Sequence, residues 1–220
     1  KSAPIHGAYG TTVGLISLGM IGKYVLKLLK SYDVNVLVYS LDMTAELAAE
    51  QGIESVSLEE LFKRSHAVSV HTANLPETRG MITGKMIESL PDYATFINSS
   101  RGEVIEEENM IEVLKKRPDI TAILDVTAPE PPVEGSPLYS LPNVVLTPHV
   151  AGSMEYECRR MGQYAINECR KWLAGEPMAY HIDKKTFEYN MRFFREAVKK
   201  NLPKPNADEI ISYLEYIKLV

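Results

Sequence analysis

Cysteine is scarce in this chain, with only Cys158 and Cys169 among 220 residues. A helical pattern runs through both, which sets them about 16 Å apart along its axis, too far for a bridge. Two thiols are also too few for a metal site, so burial as small apolar residues is the expectation. Long apolar runs are missing as well. Nothing approaches the roughly 20 residues of a membrane span, and the first residues lack the charged-then-apolar layout of a secretory signal. Positive charge is in deficit, with 24 Lys and Arg against 29 Asp and Glu and a net charge of -5. That balance argues against nucleic acid as the main partner, and any anionic ligand must be met by local donors. No internal repeat or low-complexity segment occurs. A cytoplasmic protein with a full core and no membrane partner is expected, 45% of its residues being hydrophobic.

What the chain does contain is organised around Val13 to Leu29, VGLISLGMIGKYVLKLL. A short apolar run suited to a buried parallel strand breaks at glycines and resumes at a helical period. Lys23, Lys27 and Lys30 fall on one face, and Ile21, Val25, Leu28 and Leu29 on the other. In such a strand–turn–helix, Gly19 lets backbone approach a pyrophosphate, and Gly22 lets the helix sit close on its strand. The helix N-terminus offers its N–H groups to the phosphates. Ser17 stands where the G-x-G-x-x-G pattern has its first glycine, so an ordinary glycine-bearing turn is the competing reading.

Strands are expected at Asn35 to Tyr39, Ala67 to His71, Thr95 to Asn98, Thr121 to Asp125 and Val144 to Leu146. Between them come helices capped by Thr44, by Ser57 with Glu60, and by Thr83, and one from about Glu106 to Arg117. The last has acids in its first turn and bases in its last, which the helix dipole favours without any ligand. This alternation means a doubly wound parallel α/β sheet with ligands at the carboxyl ends of its strands. A long helix from Ser153 to about Ala174 follows, ending at Gly175. Beyond Pro177 the pattern shifts to two amphipathic stretches, around Phe187 to Val198 and Ile210 to Ile217. The expected division is a dinucleotide-binding domain over 1–180 and a helical tail over 181–220.

Three strand ends carry polar residues: NSSRG at 98–102, DVTAPEP at 125–131 and TPHVAGS at 147–153. They supply a guanidinium, two carboxylates and an imidazole. A guanidinium binds a carboxylate through two parallel hydrogen bonds. An imidazole beside a carboxylate keeps a proton available near neutral pH. Together these suit reduction of a 2-keto acid. Each has a plainer competitor: a surface turn for Arg101, a solvated loop acid for Glu130, a loop histidine for His149 and a turn cap for Asp125.

With GLISLGMIG, LPETRGMI, INSSRG, LDVTAPEP, LPNVVLTPHVAGS and WLAGEP in that order, the chain resembles the nucleotide-binding domain of the D-isomer-specific 2-hydroxyacid dehydrogenases from about Tyr9 to Pro177. The resemblance implies a Rossmann-like sheet and hydride transfer between a nicotinamide and a small 2-keto or 2-hydroxy acid. It assigns the substrate carboxylate to Arg101, proton transfer to His149, and Glu130 as its partner, with no metal. Gly19, Met20, Ile21 and Gly22 would meet the pyrophosphate, Asp125 would face the nicotinamide amide, and Ser40, Thr72, Ala73, Ser99, Ser100, His149 and Gly152 would line the cofactor cleft. Ser17 and Ser40 depart from residues that usually shape that cleft. NAD is expected over NADP, because no Lys or Arg lies between Ser40 and Glu46 to meet a 2′-phosphate. A homodimer is implied too. The family's substrate domain precedes this one, whereas only Lys1 to Gly10 precede the first strand here, so the wall over the substrate is expected to be largely missing. A non-catalytic dinucleotide-binding or partner-binding module of the same fold is the alternative, and a structural fragment that assembles through its tail is another.

Overall fold

A computed structural model describes residues 7–40, 43–182 and 184. Seven strands, β1 (Thr12–Ile16), β2 (Asn35–Tyr39), β3 (Glu54–Ser55), β4 (Ala67–Val70), β5 (Thr95–Asn98), β6 (Thr121–Leu124) and β7 (Val144–Leu146), form one sheet in the order β3-β2-β1-β4-β5-β6-β7. Every pairing is parallel. The helices are α1 (Met20–Leu29), α2 (Ala45–Glu50), α3 (Leu58–Arg64), α4 (Gly84–Glu88), α5 (Glu107–Lys116) and α6 (Tyr156–Ala174). This is the expected doubly wound sheet. Strand order reverses between β1 and β4, and that reversal opens a crevice at their carboxyl ends.

The caps expected from the sequence hold the helix starts. Thr44, Ser57 and Thr83 each accept a backbone N–H three residues on, at 3.2 to 3.4 Å. The two-residue edge strand β3 was not expected. It is too short to show a period, and only its pairing with Leu37 and Val38 makes it a strand.

Two clusters fill the interior. The larger sets Val68, Val70, Phe96, Ala122 and Leu124 of the sheet against Leu61 and Phe62 of α3, Ile87 of α4, and Met110 and Leu114 of α5. The smaller joins Leu15, Leu18, Leu26 and Val38 under α1. Removing a leucine from such a core costs about 2–5 kcal/mol. Asn143 closes the C-terminal end of α5, where its side-chain amide donates to the carbonyls of Leu114, Arg117 and Ile120. Arg117 continues the tie, reaching Asp119 at 2.7 Å and the carbonyls of Glu88 and Leu90. The Asp119 carboxyl is held below its usual range, chiefly by that hydrogen bond from Arg117.

By compactness the chain forms two units, Lys1–Cys158 and Arg159–Val220. Within the second unit α6 ends at Gly175, which takes a left-handed φ of +70°, while the Glu176 N–H returns to the Lys171 carbonyl. Both cysteines are exposed, contrary to the expectation of burial, because none of the residues of α6 is buried. The amphipathic stretches expected between Phe187 and Val220 lie outside the described residues. No described helix is long and apolar enough to cross a membrane.

Candidate active site

The β1–α1 turn is shaped by two close constraints. Ser17 adopts a left-handed φ of +75°, the conformation that glycine serves in the usual pattern. A Cβ on Gly22 would lie 2.3 Å from the Ser17 carbonyl oxygen, so α1 approaches its strand only because Gly22 has none. Gly19 sits at the N-cap with open space beside it, and no side chain caps the helix. Met20 and Ile21 are 73% and 69% exposed, and the first N–H groups of this ten-residue helix have no intrahelical acceptor. That is the donor set a dinucleotide pyrophosphate requires, and these residues fit it.

The Ser40 hydroxyl oxygen accepts the Leu18 N–H at 3.3 Å, tying the end of β2 to this turn. Across the crevice, Thr72 is buried and Ala73 is exposed. The Thr78 hydroxyl shapes their loop, donating to the Ala73 carbonyl at 2.6 Å and accepting the Leu75 N–H at 2.9 Å. His71 is largely buried, which pushes its imidazole below the usual value, and its Nε2 has no hydrogen-bond partner.

At the ends of β5, β6 and β7 the three polar segments converge. Buried Asn98 folds the first of them, its amide donating to the Arg101 carbonyl at 2.9 Å while its oxygen accepts from the Ser100 backbone and hydroxyl. Ser99 and Ser100 are half-buried on this turn, and Arg101 is exposed, its guanidinium donating to the Ser100 carbonyl. Gly102 lies against the second segment, for a Cβ there would sit 2.1 Å from the Thr127 carbonyl carbon.

Asp125, 6% exposed, holds the third segment. Its carboxylate accepts the N–H of Val150 and of Ala151, each at 2.8 Å, and the Thr147 hydroxyl. Its own carbonyl accepts the His149 N–H at 3.1 Å. Burial alone would push the Asp125 carboxyl up. The Thr147 hydroxyl, the two backbone N–H groups and nearby His149 more than offset that and keep it below the usual carboxylate range. The clamp fixes a loop in which His149 has a left-handed φ of +53°. Gly152 beyond it is exposed.

His149 Nδ1 lies 2.6 Å from Glu130 Oε1. An ionised carboxylate only accepts, so Nδ1 carries the hydrogen and Nε2 is left to exchange a proton with a ligand. The two side chains are 44% and 41% exposed, where an ion pair adds little to stability, so chemistry explains the pairing better than folding does. They border a cleft of about 450 Å³ lined also by Asp125, Tyr139 and Pro148. The geometry thus joins Glu130 to His149 directly, and relates Arg101 to them through the contact of Gly102 with Thr127. Asn98 and Thr147 were missed as supporting residues. Their place inside INSSRG and LTPHV was the available signal, but hydrogen-bond direction is invisible in a string of letters.

Comparison with known proteins identifies the family of this chain. A family described as the NAD-binding domain of the D-isomer specific 2-hydroxyacid dehydrogenases matches residues 1–151. D-3-phosphoglycerate dehydrogenase of Methanocaldococcus jannaschii is 36% identical over 169 residues, covering 76% of this chain and 32% of that protein. The apo D-mandelate dehydrogenase of Rhodotorula graminis superposes with a TM-score of 0.71 at 27% identity, covering 81% of this chain and 53% of its own. A D-isomer specific 2-hydroxyacid dehydrogenase from Xanthobacter autotrophicus, solved with NADPH and MES, gives 0.68 at 30% identity over 82% of this chain and 74% of its own. The chain spans about a third of the first of these and about half of the second. In sequence, in strand order and in the uncapped glycine turn alike, it belongs to the D-isomer specific 2-hydroxyacid dehydrogenases, of which it carries the NAD-binding domain.

Proposed function

We propose that this chain provides the cofactor-binding and proton-transferring part of a nicotinamide-dependent D-2-hydroxyacid dehydrogenase acting on a small 2-keto or 2-hydroxy acid. The observation that carries this reading is the exposed Glu130–His149 pair, 2.6 Å apart, at the mouth of a cleft on the carboxyl edge of the sheet. When bound, the nicotinamide exchanges a hydride with the substrate's second carbon. Arg101 swings from its own turn to bind the substrate carboxylate through two hydrogen bonds. His149 gives the Nε2 proton to the carbonyl oxygen in reduction and takes it from the hydroxyl in oxidation, while Glu130 keeps the ring's other nitrogen protonated and its plane fixed. Asp125 holds the loop that presents His149. We also assign to Asp125 the place facing the nicotinamide amide.

NAD is the cofactor we assign, since no cation lies between Ser40 and Glu46. Titration with NADH and NADPH tests it, and tighter NADPH binding would reverse it. We assign a homodimer acting in the cytoplasm, to be checked by light scattering and fractionation. The activity itself is tested by following nicotinamide absorbance with a panel of 2-keto acids on the complete gene product. Turnover of at least one acid is expected. Bound cofactor with no turnover of any would leave a dinucleotide-binding module.

A further inference from the structure

We propose that Glu107 is a positioning residue for the Glu130–His149 couple, holding the 127–130 loop against the Arg101 turn from the first turn of α5. The inference rests on the dehydrogenase reading of that site and adds to it a residue that touches neither substrate nor cofactor.

Three acids open α5, and on charge alone all serve its dipole. The structure separates them. Glu106 accepts from the Asn109 side chain at 2.9 Å, and Glu108 is exposed. Glu107 turns inward, and its Oε2 accepts the Ala128 N–H at 2.8 Å. Burial pushes the Glu107 carboxyl up, and the Ala128 N–H only partly offsets that. A helix-dipole acid gains nothing from burial, so the inward rotamer reflects the contact it makes.

Ala128 is two residues from Glu130, with Pro129 between them. On one side the Thr127–Ala128 backbone rests on Gly102, where a Cβ would sit 2.2 Å from the Thr127 oxygen and 2.6 Å from the Ala128 nitrogen. On the other, the Thr127 hydroxyl donates to the Pro129 carbonyl at 2.8 Å. Gly102 opens a short 3-10 turn, Gly102–Val104, directly after Arg101, and Glu107 begins α5 three residues beyond it. One stretch of chain therefore carries the anion-binding guanidinium, the backbone on which the Glu130 loop rests, and the carboxylate that latches it. If the latch opens, Glu130 drifts from His149 Nδ1. A misplacement of about 1 Å near the reacting groups costs on the order of 100-fold in rate.

The test compares Glu107→Ala, Glu107→Gln and Glu130→Gln in the complete gene product. Amide hydrogen exchange of Ala128 should speed markedly in Glu107→Ala and stay slow in Glu107→Gln, whose amide oxygen still accepts. In steady state, Glu107→Ala should lower kcat by about tenfold or more with KM for the cofactor unchanged. Glu107→Gln should restore most of it, and Glu107→Ala added to Glu130→Gln should cost little further, because both act through the same group. Unchanged Ala128 exchange in Glu107→Ala, or a rate loss that multiplies with that of Glu130→Gln, overturns the proposal. Absence of turnover in the wild type with every acid tried rejects the dehydrogenase reading instead, and the exchange data then decide the Glu107 latch alone.

Discussion

The glycine turn before α1 and the loop cluster after β5, β6 and β7 sit on the same edge of one sheet, yet they are built on opposite plans. In the turn, the first N–H groups of α1 are left without side-chain partners: α1 has no capping side chain and open space at Gly19. In the cluster, donors are consumed. Asp125 takes two N–H groups and a hydroxyl, Asn98 takes the Ser100 N–H, and Glu107 takes that of Ala128. Unspent donors make an anion seat. Spent ones make rigid loops, and rigidity is what the proposed proton-transfer pair, 2.6 Å apart, requires. One half of the site is thus preorganised to receive a ligand, the other to hold its own side chains still.

Substitutions break this contrast at graded points. His149→Ala removes the proton-transfer group and should lower kcat by about 10²- to 10⁴-fold while cofactor affinity, measured by titration, stays near the wild-type value. Equal loss of cofactor binding would mean that the two halves are not separable.

Asp125→Ala attacks the rigid half at its clamp and should destabilise by about 3 kcal/mol at neutral pH, read by urea unfolding, since buried donors lose a charged acceptor. The clamp also has a pH signature. The Asp125 carboxyl is depressed in the folded chain relative to the unfolded value near 3.9. Its contribution is therefore fully present above that value and fades as pH falls through the lower folded one. The wild type should lose stability over that acid window faster than Asp125→Asn does.

Gly22→Ala attacks the open half. A Cβ 2.3 Å from the Ser17 oxygen forces α1 off its strand, at about 2 kcal/mol, and should weaken the cofactor while leaving the Glu130–His149 spacing intact. Ser17→Gly is the mildest. It relieves a left-handed serine and should stabilise by about 1 kcal/mol in thermal unfolding with no loss of cofactor affinity.

Much of the open half was legible before any coordinates, because its function resides in backbone geometry that glycine spacing encodes locally. The dense half was legible only in part. Arg101, Glu130 and His149 were recognisable as residue types in suggestive segments, but the work of Asp125, Asn98 and Glu107 was not. Glu107 is the clearest case: the charge pattern of α5 fully accounts for it as a helix-dipole acid, yet its side chain reaches a loop twenty-one residues away in sequence. The cysteines teach the reverse lesson. Excluding a disulfide and a metal site left burial as the expectation, but exclusion does not say what lies against a helix, and both are exposed.

Apart from the two-residue β3, the sequence by itself determined the order of strands and helices, the helix caps and the glycine turn, since these depend on period, side-chain reach of three residues and permitted φ. Tertiary structure decided which strand ends meet, which carboxylate clamps which loop, and that His149 faces Glu130. Those contacts bridge 19 to 26 residues of chain, and a hydrogen bond across such a gap exists only once the parallel sheet has brought the strand ends side by side.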